Sequence, residues 1–498
     1  MELVMSTPAP ATLDEDVTGT GRIVGVLAFA GITVALMQTL IIPIVPQLPT
    51  LVNASAANTA WAITATLLAG AVAVPVTGRL GDMFGKRRLL LVSLALLVAG
   101  SVVGALATSL IPLIIGRALQ GLAAGVIPLG ISIMRDVLPS RKLPGSIALM
   151  SASLGVGGAL GLPAAAVIAE YASWHFLFWT AAALGLIVTA LVVAVIPESD
   201  ARTGGAFDFG GAATLSVALV TLLLGISKGS DWGWTSARTL GLLVVAVVAF
   251  AAWVTWELRS PQPLVDLRVS MRRQVLFTNA ASIMLGFAMF ALSLVLPQIL
   301  QLPAATGVGL GKSVLVAGLV MAPSGLVMMA VAPLSSRITT TRGPKTTLMA
   351  GAGVVAVGYL AGIVLMGAVW QLVVVSLIIG AGIGLAYGAM PALIMSAVPA
   401  TETAAANSFN TLMRSLGTSF ASAVAGVILA SMTVTLGSAQ VPTQNAFRVV
   451  MAVAAGAAVL SVLLASFLPA HGRTDDAASD VVGGPVDAHG VRPVQPVD

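Results

Sequence analysis

The sequence predicts an all-α polytopic membrane protein of fourteen spans, with both termini on the cytoplasmic side. Three observations carry this. First, 58% of the 498 residues are apolar and only 9% are charged, against roughly 25% charged in soluble domains. Second, the apolar residues form long runs, each about sufficient to cross a ~30 Å hydrocarbon layer as a helix. Helices satisfy their backbone groups internally, as lipid demands, and the alternation of a β-barrel is absent. Third, the basic residues alternate between the two sides as the positive-inside rule requires.

The spans lie at about 23–46, 59–78, 89–107, 109–133, 146–170, 174–196, 209–228, 237–256, 275–299, 313–335, 346–367, 371–397, 403–431 and 447–469. With the N-terminus inside, 18 of the 24 basic residues fall in cytoplasmic segments and four, Lys228, Arg238, Lys312 and Arg448, fall outside. Arg117 and Arg414 lie within spans. A wrong span count would break this alternation partway. Residues 1–20 hold four acids and no base, unlike a cleavable signal. Residues 470–498 are polar and rich in Pro, Asp, Gly and Val, the composition of a disordered tail.

Composition also narrows function. With no cysteine, thiolate metal sites and cysteine nucleophiles are excluded. His175, His471 and His489 form no pair with metal-ligand spacing. The basic pI of about 10 reflects topogenic loops, so nucleic acid is not the expected partner. No GxxxxGK[ST] pattern is present, so direct use of ATP is not expected.

An internal repeat is visible. Residues 78–88 read GRLGDMFGKRR after the second span, and residues 333–345 read PLSSRITTTRGPK after the tenth. Two six-helix bundles, 23–200 and 275–470, then flank an inserted pair with its loops at 201–274, leaving tails at 1–22 and 471–498. Repeat halves are typical of transporters, whose substrate sites lie between them near the midplane.

Gly78-Arg79-Leu80-Gly81-Asp82-Met83-Phe84-Gly85-Lys86-Arg87-Arg88 resembles the signature inner loop of the major facilitator superfamily almost position for position. The glycines suit a tight turn and close helix approach, and Asp82 can accept from a helix N-terminus or pair with a base. The resemblance implies a gating loop of Gly78, Arg79, Gly81, Asp82, Gly85, Lys86, Arg87 and Arg88, closed when the cavity faces outward. Arg117, Gln120, Gly121 and Gly125 share one helical face in span four and resemble the family's RxxQG pattern. Arg117 is then a proton-relay or cavity residue, or a structural arginine bonded to backbone carbonyls. Span five resembles a degenerate antiporter motif: Gly157 and Gly161 keep its spacing, Leu162 stands where proline is usual and Pro163 follows. The resemblance implies a bendable interface at Gly157, Gly161 and Pro163; plain tight packing is the alternative. Ser173-Trp174-His175-Phe176 reads as an interfacial turn.

Phe207-Asp208-Phe209-Gly210, Trp232-Gly233-Trp234 and Pro263-Leu264-Val265-Asp266-Leu267 resemble the fourteen-helix drug:proton antiporter branch, which includes quaternary-ammonium and antibiotic efflux pumps. The resemblance covers about 23–470. It implies a secondary exporter of drug-like or other amphipathic molecules in the plasma or inner membrane, by alternating access and proton antiport. It implies a small-molecule substrate, protons and membrane lipids as partners, a monomer, and no cofactor or enzymatic activity. An exporter of an endogenous metabolite or lipid, and a sensor on the same fold, are the rival readings.

Asn407, Asn410 and Arg414 share one face of span thirteen and are assigned to the cavity, interhelical hydrogen bonding alone being the alternative, with Gln38, Gln298 and Tyr387 as further polar contacts. One departure matters. Many members of the branch carry an acid in span one, where this chain has Met37 in MQTLIIPIVP. Glu170, at the end of span five, is the nearest alternative carrier, with Asp82 and Asp136 at the inner edge. The interior charges are arginines, so neutral or anionic substrates are expected.

Overall fold

The computed structural model describes residues 13–44, 47–198, 202–436 and 439–469. Among the described residues, fourteen helices are long and apolar enough to cross a membrane, matching the predicted number and order. They are α1 (Leu13–Thr39), α2 (Trp61–Phe84), α3 (Lys86–Ala105), α4 (Leu110–Val137), α5 (Leu143–Tyr171), α6 (His175–Val195) and α7 (Phe209–Trp232). There follow α8 (Ala237–Glu257), α9 (Arg273–Gln301), α10 (Val314–Arg342), α11 (Pro344–Val364), α12 (Val369–Met395), α13 (Thr403–Ser431) and α14 (Gln444–Ser466). The tail at 470–498, with His471 and His489, lies outside the described residues.

Two large apolar cores separate the halves. One is built on Leu27, Leu94, Leu113, Leu129 and Val188 of α1–α6, the other on Leu285, Leu296, Val355, Ile379 and Phe447 of α9–α14. A third, smaller cluster joins Leu215, Leu219 and Trp253 of α7 and α8 to Ala71 of α2 and Leu412 of α13. The inserted pair is thereby attached where the two halves meet. Its second helix turns Leu240, Val244, Val247 and Val248 outward, apolar side chains that only lipid would solvate well.

Close approach rests on small residues, as is usual between membrane helices. A Cβ on Gly351 of α11 would stand 2.6 Å from the Gly382 carbonyl oxygen of α12, and one on Gly382 would stand 2.6 Å from that of Gly351. A Cβ on Gly325 of α10 would stand 2.6 Å from the Gly155 carbonyl oxygen of α5.

Two features differ from the sequence reading. The segment 78–88 is not a loop: α2 runs to Phe84, and one residue, Gly85 with φ +111°, separates it from α3 at Lys86. Nothing before Gly85 breaks a helix, and Gly78 and Gly81 serve packing, since a Cβ at Gly78 would meet the Ala404 carbonyl oxygen at 2.7 Å. Second, the connection from α13 to α14 holds an antiparallel pair, β1 (Thr433–Leu436) and β2 (Ala439–Pro442), with Thr433 opposite Pro442. Its Thr-Val-Thr alternation suits a short strand.

Gly382→Val places two methyl groups against the α11 backbone. Overpacking of this kind costs about 1–3 kcal/mol; the detergent-purified variant is expected to unfold at lower temperature, read by thermal-shift fluorescence against Gly353→Val, where no atom lies within 4 Å of the added carbon.

Candidate functional site

At the end where α2 meets α3, the halves are clasped. The carboxylate of Asp82 accepts the backbone N–H of Ala404 at 3.1 Å and of Ala405 at 2.8 Å. These are first-turn donors of α13 that have no partner within the helix, and its own preceding residue, Glu402, supplies no side-chain cap. Asp82 thus caps α13 from the other half, where the helix dipole favours an anion. Lys86, fully buried, donates to Asp136 at 2.7 Å and to Thr403 Oγ1 at 3.0 Å, and lies 3.7 Å from Asp82. Arg135 reaches the Val398 carbonyl at 3.2 Å. Removing one member of such a buried cluster is costly, because the remaining charge loses its partner. Arg87 donates to the Val193 carbonyl, within its own half. Arg88 pairs with Glu198 at 3.6 Å on the exposed surface, where an ion pair is worth little. Arg79 instead lines a cavity of about 460 Å³ with Arg202, Asp266 and Glu402.

Beyond the clasp, a cavity of about 300 Å³ opens between α1, α5, α9, α10 and α12. It runs from Gly155, Met328 and Ile383 toward Thr39, Gln301 and Val314, at the end opposite the clasp. Its wall is apolar and adaptable, with Met289, Met321 and Met328, and its polar groups are Gln38, Thr39, Ser293, Gln301 and Ser324. No charged side chain lines it among the described residues. Glycines at 155, 158, 318 and 325 lower the wall and let α10 lie on α5.

The predicted residues divide. Gln38 lines the cavity; Gln298 does not, and Gln301 does. The face of α9 toward the cavity carries Met289, Leu292, Ser293, Pro297 and Gln301, a three-to-four residue spacing that passes over Gln298. Gly157 and Gly161 pack on α1, where Cβ atoms would strike Ala35 at 2.6 Å and the Leu36 carbonyl at 3.2 Å. Pro163 lies on α10, its backbone nitrogen 3.0 Å from a Cβ on Gly318. The side chain of Glu170 lies outside the described residues.

Arg117 and Gln120 sit away from this cavity. The guanidinium donates to the carbonyls of Ala62 at 3.2 Å and Met37 at 3.1 Å and to Gln120 Oε1 at 2.7 Å. Gln120 passes the chain on to Ser101 Oγ at 2.9 Å. Met37 shares a small void with Arg117 and Gln120, so an acid at position 37 would face Arg117 there. The three residues of α13 reach three different neighbours. Asn407 donates to Ser132 of α4 at 3.4 Å, across the halves. Asn410 donates to Asn279 and Ser282 of α9, each at 2.8 Å. Arg414 lies over the ring of Tyr387 of α12, 4.9 Å from its centroid, a cation–π arrangement. None of the three lines the main cavity.

The sequence reading missed Gln301, Ser293 and Ser324 as cavity groups. Their periodicity on α9 and α10 could have placed them once the lipid-facing sides were known. It also missed Glu257, one residue beyond the expected end of span eight.

Comparison with known proteins bears on family and fold. The sequence profile of the Major Facilitator Superfamily matches residues 27–422. An uncharacterised MFS-type transporter of Mycobacterium tuberculosis is 29% identical over 81% of this chain, which spans 58% of that relative's length. The tetracenomycin C resistance and export protein of Streptomyces glaucescens is 29% identical over 80% of this chain and 74% of its own. Multidrug resistance protein 3 of Bacillus subtilis is 25% identical over 74% and 72%. The proton:xylose symporter XylE superposes with TM-score 0.64 at 15% identity, covering 91% of this chain and 97% of its own. The human organic anion transporter MFSD10 does so with TM-score 0.63 at 16%, covering 90% and 99%. At such identities the structures speak to fold alone.

Asp82→Ala removes the cap from α13, a loss of about 1–2 kcal/mol, or roughly a 5- to 30-fold shift between conformers. The chain has no cysteine, so single-cysteine labelling has no background. Ser408→Cys, buried beneath Gly78 at the clasp, is expected to be alkylated faster in Asp82→Ala than in the parent.

Proposed function

This chain belongs to the Major Facilitator Superfamily, and from that premise we propose that it is a secondary active exporter of uncharged, amphipathic drug-like molecules, exchanged for protons by alternating access. The transporter class follows from the family.

The observation that carries the substrate class is the cavity wall. A charge moved into so apolar a site without a partner would lose its hydration for nothing, and none of the lining groups offers an opposite charge. Thioethers adapt to several shapes, and a few hydroxyls and amides orient the bound molecule. Arg117 and Arg414, the interior cations, are engaged elsewhere, which favours neutral over anionic substrates.

The charge distribution supports an orientation: Arg87, Arg88 and Lys142 lie at the clasped end, which the positive-inside rule would set in the cytoplasm. The cavity then faces outward, in the state that releases exported substrate. The cycle proceeds by opening the Asp82–α13 clasp while α5 and α10 close over the cavity on their glycine seams. The relatives named for resistance and export support the outward direction.

An efflux-deficient bacterial host expressing the chain is expected to tolerate neutral amphipathic antibiotics better than the empty host, and lipophilic dications no better. Met321→Trp, which fills the cavity, is expected to lower that tolerance toward the empty-host level at unchanged membrane expression. Protection against dications alone would refute the substrate class.

A further inference from the structure

Beneath the floor of the main cavity lies polarity that this state leaves unused. Gly155 of α5 and Ile383 of α12 line the inner end of the cavity. One turn nearer the clasp, on the same two helical faces, stand Ser151 and Tyr387. They are 3% and 1% exposed. Ser151 Oγ and Tyr387 Oη are buried, and neither has a hydrogen-bond partner among the described residues. Arg414 lies over the Tyr387 ring. Its guanidinium carries five N–H donors, and among the described residues it forms one hydrogen bond, from Nη2 to Thr411 Oγ1 at 3.2 Å. It makes no ion pair among those residues. Two turns nearer the clasp on α13, Asn407 gives its amide nitrogen to Ser132 and keeps Oδ1 without a partner.

The halves are shut over these groups. A Cβ on Gly388, the residue after Tyr387, would stand 3.0 Å from the Cβ of Ala148, which lies three residues before Ser151. Ser151 belongs to the first half, and Tyr387, Asn407 and Arg414 belong to the second. Parting the halves at the clasp therefore separates them and turns them toward one opening. A buried polar atom without a partner costs stability, and native structures hold few of them. Packing requires neither hydroxyl, since Phe and Ala would fill the same space. Both are accounted for by partners gained when the seam opens.

We propose that Tyr387, Arg414 and Ser151 form the polar end of the substrate site in the state open at the clasp, where they take an acceptor oxygen, such as an amide or ester carbonyl, of an uncharged amphipathic molecule. The proposal rests on the alternating-access reading above and names the chemistry that loads the site.

Arginine only donates, so Arg414 selects an acceptor; the two hydroxyls can donate or accept and so adapt to its neighbours. The acceptor belongs to an uncharged molecule because the same substrate then occupies the cavity above. No charged side chain lines that cavity among the described residues, and a bare charge there would lose its hydration without a partner. When the seam closes beneath the substrate, Tyr387 and Ser151 return to burial between α5 and α12. The polar grip is thus present where substrate loads and absent where it leaves, which leaves a mostly apolar wall to release it.

Inside-out membrane vesicles holding the full chain test this through introduced cysteines, since the chain has none of its own. In the Asp82→Ala background, Ser151→Cys is expected to react with a membrane-impermeant maleimide from the clasped side, as Ser408→Cys does. Without Asp82→Ala both are expected to react more slowly. Chloramphenicol, an uncharged amide, is the probe and is expected to slow the reaction of Ser151→Cys; the anion naproxen and the dication dequalinium are expected not to. Tyr387→Phe keeps the ring against Arg414 and removes the hydroxyl. It is expected to raise the chloramphenicol concentration for half-protection about 5-fold, with the alkylation rate in the absence of probe unchanged. If Ser408→Cys reacts and Ser151→Cys does not, or if neither reacts faster with Asp82→Ala, the groups do not open with the clasp and the proposal falls. Absence of protection by chloramphenicol, or equal protection in Tyr387→Phe, removes the recognition role. Protection by naproxen or dequalinium alone refutes the uncharged acceptor. The host tolerance assay above reads export without these cysteines, so the export reading stands or fails separately.

Discussion

A carboxylate of one half closing the open end of a helix in the other is the interaction around which the structure is organised. The first turn of any helix carries amide donors with no partner of their own, and at the start of α13 the side chain of Glu402 supplies no cap. Asp82 supplies the missing acceptor from α2. Because the bond is made between halves, the proposed cycle has to give it up in one of its two states. Lys86 and Asp136 gather round it from its own half, so the charge it leaves behind is still partnered there.

The remainder of the structure keeps buried polarity satisfied while letting surfaces slide. Arg117 is held by three acceptors from α1, α2 and α4, which fixes the first half as a body. Asn410 does the same for α13 on α9. Between the bodies, away from the clasp and the Asn407–Ser132 bond, the contacts include another kind: glycine against backbone, as at Gly325 on Gly155 and Gly388 on Ala148. Such seams carry little directional bonding, so they resist separation without resisting small translations.

Much of this was legible in the sequence. Span number and order followed from hydropathy and from the placement of arginine and lysine, because lipid imposes the same length and charge rule on every segment. The role of Asp82 as an acceptor for a helix end was readable from its residue type and the glycines about it, though which helix it would meet was not. Arg117 showed where local reading stops: its helical face was right, but only the packing of α1 and α2 reveals that carbonyls, not the cavity, receive its guanidinium. Glu257 escaped notice because a span boundary drawn one residue short turned a buried acid into a loop acid. The β1–β2 hairpin escaped because four-residue strands leave little periodicity to read.

The joint at Gly85 sets a further condition on the molecule. Two helices of 24 and 20 residues, each about 30 Å or more in length, meet through a single residue, with one pair of backbone torsions to absorb any change of angle between them. Such an elbow has no slack. Displacement of α2 at the clasp is handed to α3 almost undiminished, whereas the twelve residues between α9 and α10 could damp a comparable push. Tolerance to an added or deleted residue is therefore distributed unevenly along the chain, least at the elbow and greatest in connections remote from it.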